Sequence, residues 1–187
     1  NALLNYNPKY NETNVATYFV NYKNSMLDVT AGYFYEQFGS GMLLRSWEDR
    51  ALGINNALRG GKIVFTPINS LAIKAVYGQQ RSGFDVSDAK VFGFDIDYSL
   101  DELMNFEASS LSLGFSFVGR DEAIEFENPI FDDLTKAYSG RLNFVHNAFY
   151  VSSEYNYKSD DAILILQGNT ISNDFVKPGS ALLVNTG

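Results

Sequence analysis

Between Leu111 and Phe117 every second residue is large and apolar (Leu111, Leu113, Phe115 and Phe117), and Ser112, Gly114 and Ser116 stand between them. A period of two marks a β-strand whose two sides meet different surroundings, because successive side chains leave opposite faces of the backbone. The alternation returns from Met26 to Phe38, where Leu27, Val29, Ala31, Tyr33 and Tyr35 oppose Asp28, Thr30, Gly32, Phe34 and Glu36. It returns again from Ala89 to Tyr98, where Phe92, Phe94, Ile96 and Tyr98 oppose Val91, Gly93, Asp95 and Asp97. One face of nearly every strand is therefore apolar, while the other collects Asp28, Glu36, Lys74, Asp95, Asp97, Arg141 and Glu154. So many ionisable groups do not fit a dry core. Such strands belong either to a soluble sandwich with a wet outer face or to a barrel with a polar interior and lipid against its apolar side.

The connections favour the barrel. Tight turns are expected at Lys23-Asn24, which would pair Val20 with Leu27; at Pro67-Ile68-Asn69, pairing Phe65 with Leu71; and at His146-Asn147, pairing Phe144 with Phe149. Longer polar connections fall between them, at Gly39 to Gly60, Gln79 to Asp88, Arg120 to Lys136 and Ser159 to Gly179. The stretch Ser99 to Ser110 stands where a short turn is due and reads as a short helix capped by Ser99. Alternation of short turns with long loops is the habit of outer-membrane barrels, and strands near ten residues suit a tilted crossing of the hydrocarbon layer. Tyr22, Tyr33, Tyr35, Tyr77, Tyr98, Tyr155 and Tyr157 lie toward strand ends, where interfacial aromatic girdles form. The expected fold is all-β: an antiparallel, up-and-down transmembrane β-barrel of about 8–10 strands, left partial by this chain, read as one domain over residues 1–187.

Composition removes several function classes. The chain has no cysteine and a single histidine, His146, in an expected turn, so thiolate sites and histidine clusters within it are excluded. A net charge of -8 argues against a nucleic-acid partner, whose phosphates call for a basic face. The glycine runs Gly39-Ser40-Gly41 and Gly60-Gly61 lack the spacing of a dinucleotide fingerprint or a P-loop. Asp95 and Asp97 share a strand face, but two carboxylates fall short of the oxygen set calcium takes, and the acidic run from Asp121 to Asp133 lacks EF-hand spacing. No cofactor, metal ligand or catalytic residue is assigned, and the reading is non-enzymatic. Asn1 opens without methionine or signal sequence, and Ser180 to Gly187 reads as the first half of a strand, so a mature, processed or truncated piece is expected. Open edges facing lipid are prohibitively costly, so further chain or partner subunits are expected to complete the wall.

One stretch departs from the strand pattern. From Gly32 to Gly61 the chain reads GYFYEQFGSGMLLRSWEDRALGINNALRGG, with Arg45, Glu48, Asp49, Arg50 and Arg59 set among Trp47, Leu52, Ile54 and Leu58. Ser46-Trp47-Glu48-Asp49 fits a helix start with a hydroxyl cap, so the insertion is expected to carry a short helix. With Glu36 facing the lumen and the strand ending at Gly39, the insertion folded inward would bury Trp47 and Leu52 and set Arg45, Glu48, Asp49, Arg50 and Arg59 against the lumen acids Asp95, Asp97 and Glu154. Acids confined together without cations would repel one another, which favours that arrangement. The lumen would then be constricted.

This same stretch resembles a family of uncharacterised outer-membrane β-barrel proteins of Bacteroidota, in which an FYEQFG strand end precedes an arginine-rich R-x-x-E-x-R-x-L-G loop; the later GSALLVNTG resembles a strand start in such proteins. The resemblance implies a barrel in the cell outer membrane, in contact with its lipid, and a chain longer than this one. It implies no catalytic residues. The expected function is that of a channel or a structural subunit of an envelope assembly. The alternative, a secreted β-rich domain that binds or cleaves glycans, would use Glu36, Glu48 or Asp49 as paired carboxylates, although the neighbouring arginines lower carboxyl pKa values where a general acid needs one raised.

Overall fold

The computed structural model describes residues 15, 17–49, 51–104, 106, 108–122, 134–162, 165–167, 170–172, 175–176 and 178–187. Nine strands form one sheet: β1 (Phe19–Lys23), β2 (Leu27–Phe34), β3 (Leu58–Ile68), β4 (Leu71–Ser82), β5 (Asp85–Ser99), β6 (Ser109–Asp121), β7 (Leu134–His146), β8 (Phe149–Lys158) and β9 (Gly179–Thr186). Each pairs antiparallel with the next in sequence. The fold is an all-β meander, and among the described residues it does not close: β1 and β9 are its edges. The expected strand count and the order of short turns hold.

Registers differ from expectation by even steps. Val20 pairs with Ala31, Phe65 with Ile73 and Phe144 with Val151. Side chains that bond to the backbone move the turns. Asn24 Oδ1 accepts the amides of Met26 at 2.9 Å and Leu27 at 2.8 Å, which sets the first turn past Lys23. Asn147 takes φ 52°, the left-handed region asparagine tolerates, so the β7–β8 turn centres after His146. An even slip leaves each residue on its predicted face.

Two expected loops are instead hairpins. Residues 79–88 continue β4 and β5 to a tight turn at Gly83, whose φ of 72° opens the left-handed conformation such a turn uses. Residues 161–176 carry two short antiparallel ladders, Asp161–Ala162 with Phe175–Val176 and Ile165–Gln167 with Thr170–Ser172. The helix expected at Ser99 is α1 (Asp101–Met104), with the Asp101 amide 3.4 Å from Ser99 Oγ. The helix expected after Ser46 is absent. Ser46 Oγ accepts the Glu36 amide at 2.8 Å rather than an amide of the residues that follow it, and Glu48–Asp49 pairs with Ile54–Asn55 across a turn that Asp49 Oδ1 holds through the Ala51 and Leu52 amides.

The faces are as the alternation dictates, with an inverted burial pattern. On the open face Ile63, Phe65, Tyr77, Phe94, Leu113, Phe115, Tyr138, Leu142, Tyr155 and Leu182 are exposed. Phe94 stacks at 5.9 Å on Phe115 and 5.8 Å on Phe117, and Phe117 at 5.2 Å on Tyr138. The other face is covered by the insertion and buries Asp95, Ser116, Ser139, Arg141 and Glu154.

Candidate functional site

Cross-strand register builds the site. One row on the covered face runs Lys74, Asp95, Ser116, Ser139, Asn156, from β4 to β8. The next runs Asp97, Gly114, Arg141, Glu154, from β5 to β8. Arg141 leans from the second row across Gly114, where a Cβ would stand only 2.5 Å from Nε and 2.6 Å from Asp97 Oδ1, so glycine clears its path. Its NH2 then reaches Asp95 Oδ1 at 2.5 Å and Asp97 Oδ1 at 2.8 Å, and its NH1 donates to Ser116 Oγ. Asp95 is 1% exposed, and burying a carboxyl group that deep is costly unless it is paired and hydrogen-bonded, as it is here. Ser116 Oγ donates to it at 2.6 Å, and Lys74 Nζ stands 3.7 Å from its other oxygen.

The insertion closes over this network. Gln37–Phe38 pairs with Leu44–Arg45 around a glycine turn in which Gly39 takes φ 51°. Phe38, 0% exposed, enters an apolar cup of Phe34, Leu58, Val76, Val91 and Val118, with Leu43 and Leu44 packed beside it. Burying such a ring stabilises by roughly 1.5–3 kcal/mol, enough to hold a short hairpin. Polar contacts fix its position. The Ser40 amide donates to Glu154 Oε2 at 2.9 Å, Ser139 Oγ donates to Glu154 Oε1 at 3.1 Å, and Lys74 Nζ donates to the Gln37 carbonyl at 3.2 Å. Glu36 accepts ion pairs from Lys62 at 3.2 Å and Lys74 at 3.4 Å. Any Cβ at Gly39 would meet the Arg141 chain at 2.6 Å, so the turn lies directly on the guanidinium.

The predicted residues divide. Glu36, Asp95, Asp97 and Glu154 come together here, but the cations paired with Glu36, Asp95 and Asp97 are Lys62, Lys74 and Arg141 of the sheet, not the insertion arginines, and Glu154 accepts from the Ser40 amide and the Ser139 hydroxyl. Arg45 is exposed and lies over the Trp47 ring at 4.8 Å. Arg59 reaches Gln79 at 3.4 Å on the opposite face. Arg50 lies outside the described residues. Leu52, expected to be buried, is 68% exposed at a turn, and Trp47 is half-buried. The second half of the insertion thus packs beside the first, with the Trp47 amide on Asn56 Oδ1 at 2.6 Å, rather than on the acids of the covered face. Glu36 is engaged by lysines, while Glu48 Oε2 accepts from the Tyr35 hydroxyl at 3.4 Å; burial and that carboxylate push the Tyr35 pKa up. Among the described residues no cluster of His, Asp and Glu could hold a metal.

Sequence reading missed Ser40, Ser116, Ser139 and Gly114. For Gly114, Ser116 and Ser139 the signal is small size on the polar face, which leaves room for longer neighbours to cross between strands; Ser40 acts through its backbone amide in a turn and carries no such signal. Arg81 was missed too. It is buried, stacked over Tyr33 at 5.3 Å and Phe84 at 5.7 Å, and its amide donates to the Ala57 carbonyl at 2.8 Å.

A family model, described as a Family of unknown function (DUF6029), matches residues 1–187. The chain belongs to DUF6029. No curated protein matches it. Since the match spans the whole chain, the sheet, its insertion and the buried ion network all lie within the DUF6029 segment.

Proposed function

We propose that this DUF6029 chain is part of the wall of an outer-membrane β-barrel, and that the hairpin around Gly39 constricts its interior. The barrel acts as a channel or as a structural subunit of an envelope assembly, without catalysis. The inverted burial carries this reading. A sheet that buries Asp95, Ser116, Ser139, Arg141 and Glu154 while exposing Phe65, Phe94, Phe115, Leu142 and Leu182 has its oily side outward. An apolar surface that broad calls for lipid or protein to cover it, and alternating strands with short turns at one end suit a lipid-facing wall. Outward ionisable side chains on β3, β5 and β7, Arg59, Lys90 and Lys136, stand toward one end of the sheet, the end that bears the insertion and the Gly83 turn, where an interface with headgroups would lie. The motif resemblance supports a Bacteroidota outer membrane as the setting.

The test has two parts. Purified protein should require detergent and resist alkaline carbonate extraction from membranes; a soluble protein rules out the wall. In planar bilayers, replacing residues 39–44 with a glycine-serine linker should raise conductance several-fold, and unchanged conductance rules out the constriction.

A further inference from the structure

The two edges of the sheet run the same way. Nine strands, each antiparallel to the next, leave β1 and β9 pointing in one direction. The chain therefore enters β1 at the end of the sheet that bears the insertion and the Gly83 turn, and leaves β9 at the end that bears the turns after β1, β3 and β7. Of the features that stop a sheet, β9 carries none and β1 only Lys23 at its last position, ion-paired to Asp28 at 3.3 Å. Natural edges are blunted by inward charges, proline or bulges, yet Val20 and Tyr22 on β1 and Leu182 and Val184 on β9 extend the exposed apolar face to the last strand on each side. Among the described residues nothing pairs with the outer edge of either strand.

We infer that the β1 and β9 edges are seams filled by an odd number of further antiparallel strands of the same alternating pattern, and that a second copy of this chain does not fill them. This rests on the barrel reading above. Parity carries it. Closing β1 directly on β9 would pair parallel strands, and two copies related by rotation about a barrel axis would make two parallel seams. An odd insert makes every pair antiparallel and the total even, as in bacterial single-chain barrels. It also satisfies all edge N–H and C=O groups, which hydrocarbon cannot.

Residues 1–187 contain no cysteine, so once any cysteine outside them is replaced by serine, single cysteines can carry a maleimide-diazirine probe in the full-length protein in its native membrane. Probes at Ser180→Cys and Thr186→Cys report the β9 edge, Val20→Cys the β1 edge, and Tyr155→Cys is the control, since its neighbours are Gly140 and Leu182. After photolysis the captured peptides are mapped by mass spectrometry. Setting aside β8 and β2, the neighbours that β9 and β1 already have in the sheet, the expected result is capture of a further strand, neither β1 nor β9, at each edge, with its residue number falling by about six as the probe moves from Ser180 to Thr186. Capture of β1 by the β9 probes, within one copy or between two, would overturn the inference. So would a partner number that rises, or silent edges while Tyr155 captures β7 and β9. Carbonate extraction of the same membranes separates the two readings: release of the protein removes the membrane wall, whereas an antiparallel β9 neighbour still reports the seam.

Discussion

Arg141 is the residue on which the covered face depends. Its guanidinium answers Asp95, Asp97 and Ser116 at once, so Arg141→Met leaves a 1% exposed carboxylate without its main partner. Breaking a buried pair from one side costs about 3–5 kcal/mol, whereas replacing both members with apolar residues is often neutral. Denaturant unfolding of refolded protein should therefore show a large loss for Arg141→Met and recovery of most of it in Arg141→Met with Asp95→Leu. No recovery would mean that Arg141 acts through packing. At the opposite end, Asp101 Oδ1 accepts the Leu111 amide at 2.8 Å and Oδ2 the Ser110 hydroxyl at 2.9 Å, and these bonds, the backbone one foremost, hold its carboxyl below the ordinary value. A depressed carboxyl contributes stability that is present above the unfolded pKa, about 3.9, and is lost as pH falls through the folded one. The stability difference between wild type and Asp101→Asn should be full at pH 6 and shrink as pH drops below that unfolded value. A difference independent of pH would show that the charge plays no part.

Among the elements, the hairpin of residues 37–45 is held by one ring and a few polar contacts. Phe38→Ala removes the ring from its cup and should cost roughly 3–5 kcal/mol locally, the usual range for a buried aromatic. Since the strands of the sheet keep their ladders, global unfolding should move less than the hairpin does. Limited proteolysis should then cut between Gly39 and Leu44 in the variant and not in wild type. Equal resistance would place the holding force in Glu154 and the lysines instead.

For the whole molecule, the open face distinguishes lipid from water. Leu142 is exposed between Leu113 and Ser153, within the apolar belt. In a lipid-facing wall Leu142→Arg should destabilise by up to about 2–4 kcal/mol, depending on depth; on a wet surface it should stay within about 0.5 kcal/mol. Refolding into vesicles, with urea midpoints for both proteins, decides it.

Strand identity and face were legible in the sequence because alternation is local: Phe94 and Asp95 must leave opposite sides of β5 wherever the strand packs. Side-chain bonding to nearby backbone was less legible, so Asn24 and Asn147 moved their turns, Gly83 made a hairpin of an expected loop, and Ser46 bonded Glu36 where a helix cap was expected. The acids that meet at the site were found from the pattern, but their partners were not. Which cation answers Asp95 depends on register between strands far apart in the chain and on the empty space at Gly114, and the choice of Phe38 over Trp47 as the buried anchor depends on a cup that β2, β3, β4, β5 and β6 build together. Local periodicity determined the two faces of this protein; only the assembled sheet decided what lies on the polar one, because pairing energies there are set by distances between residues the chain keeps apart.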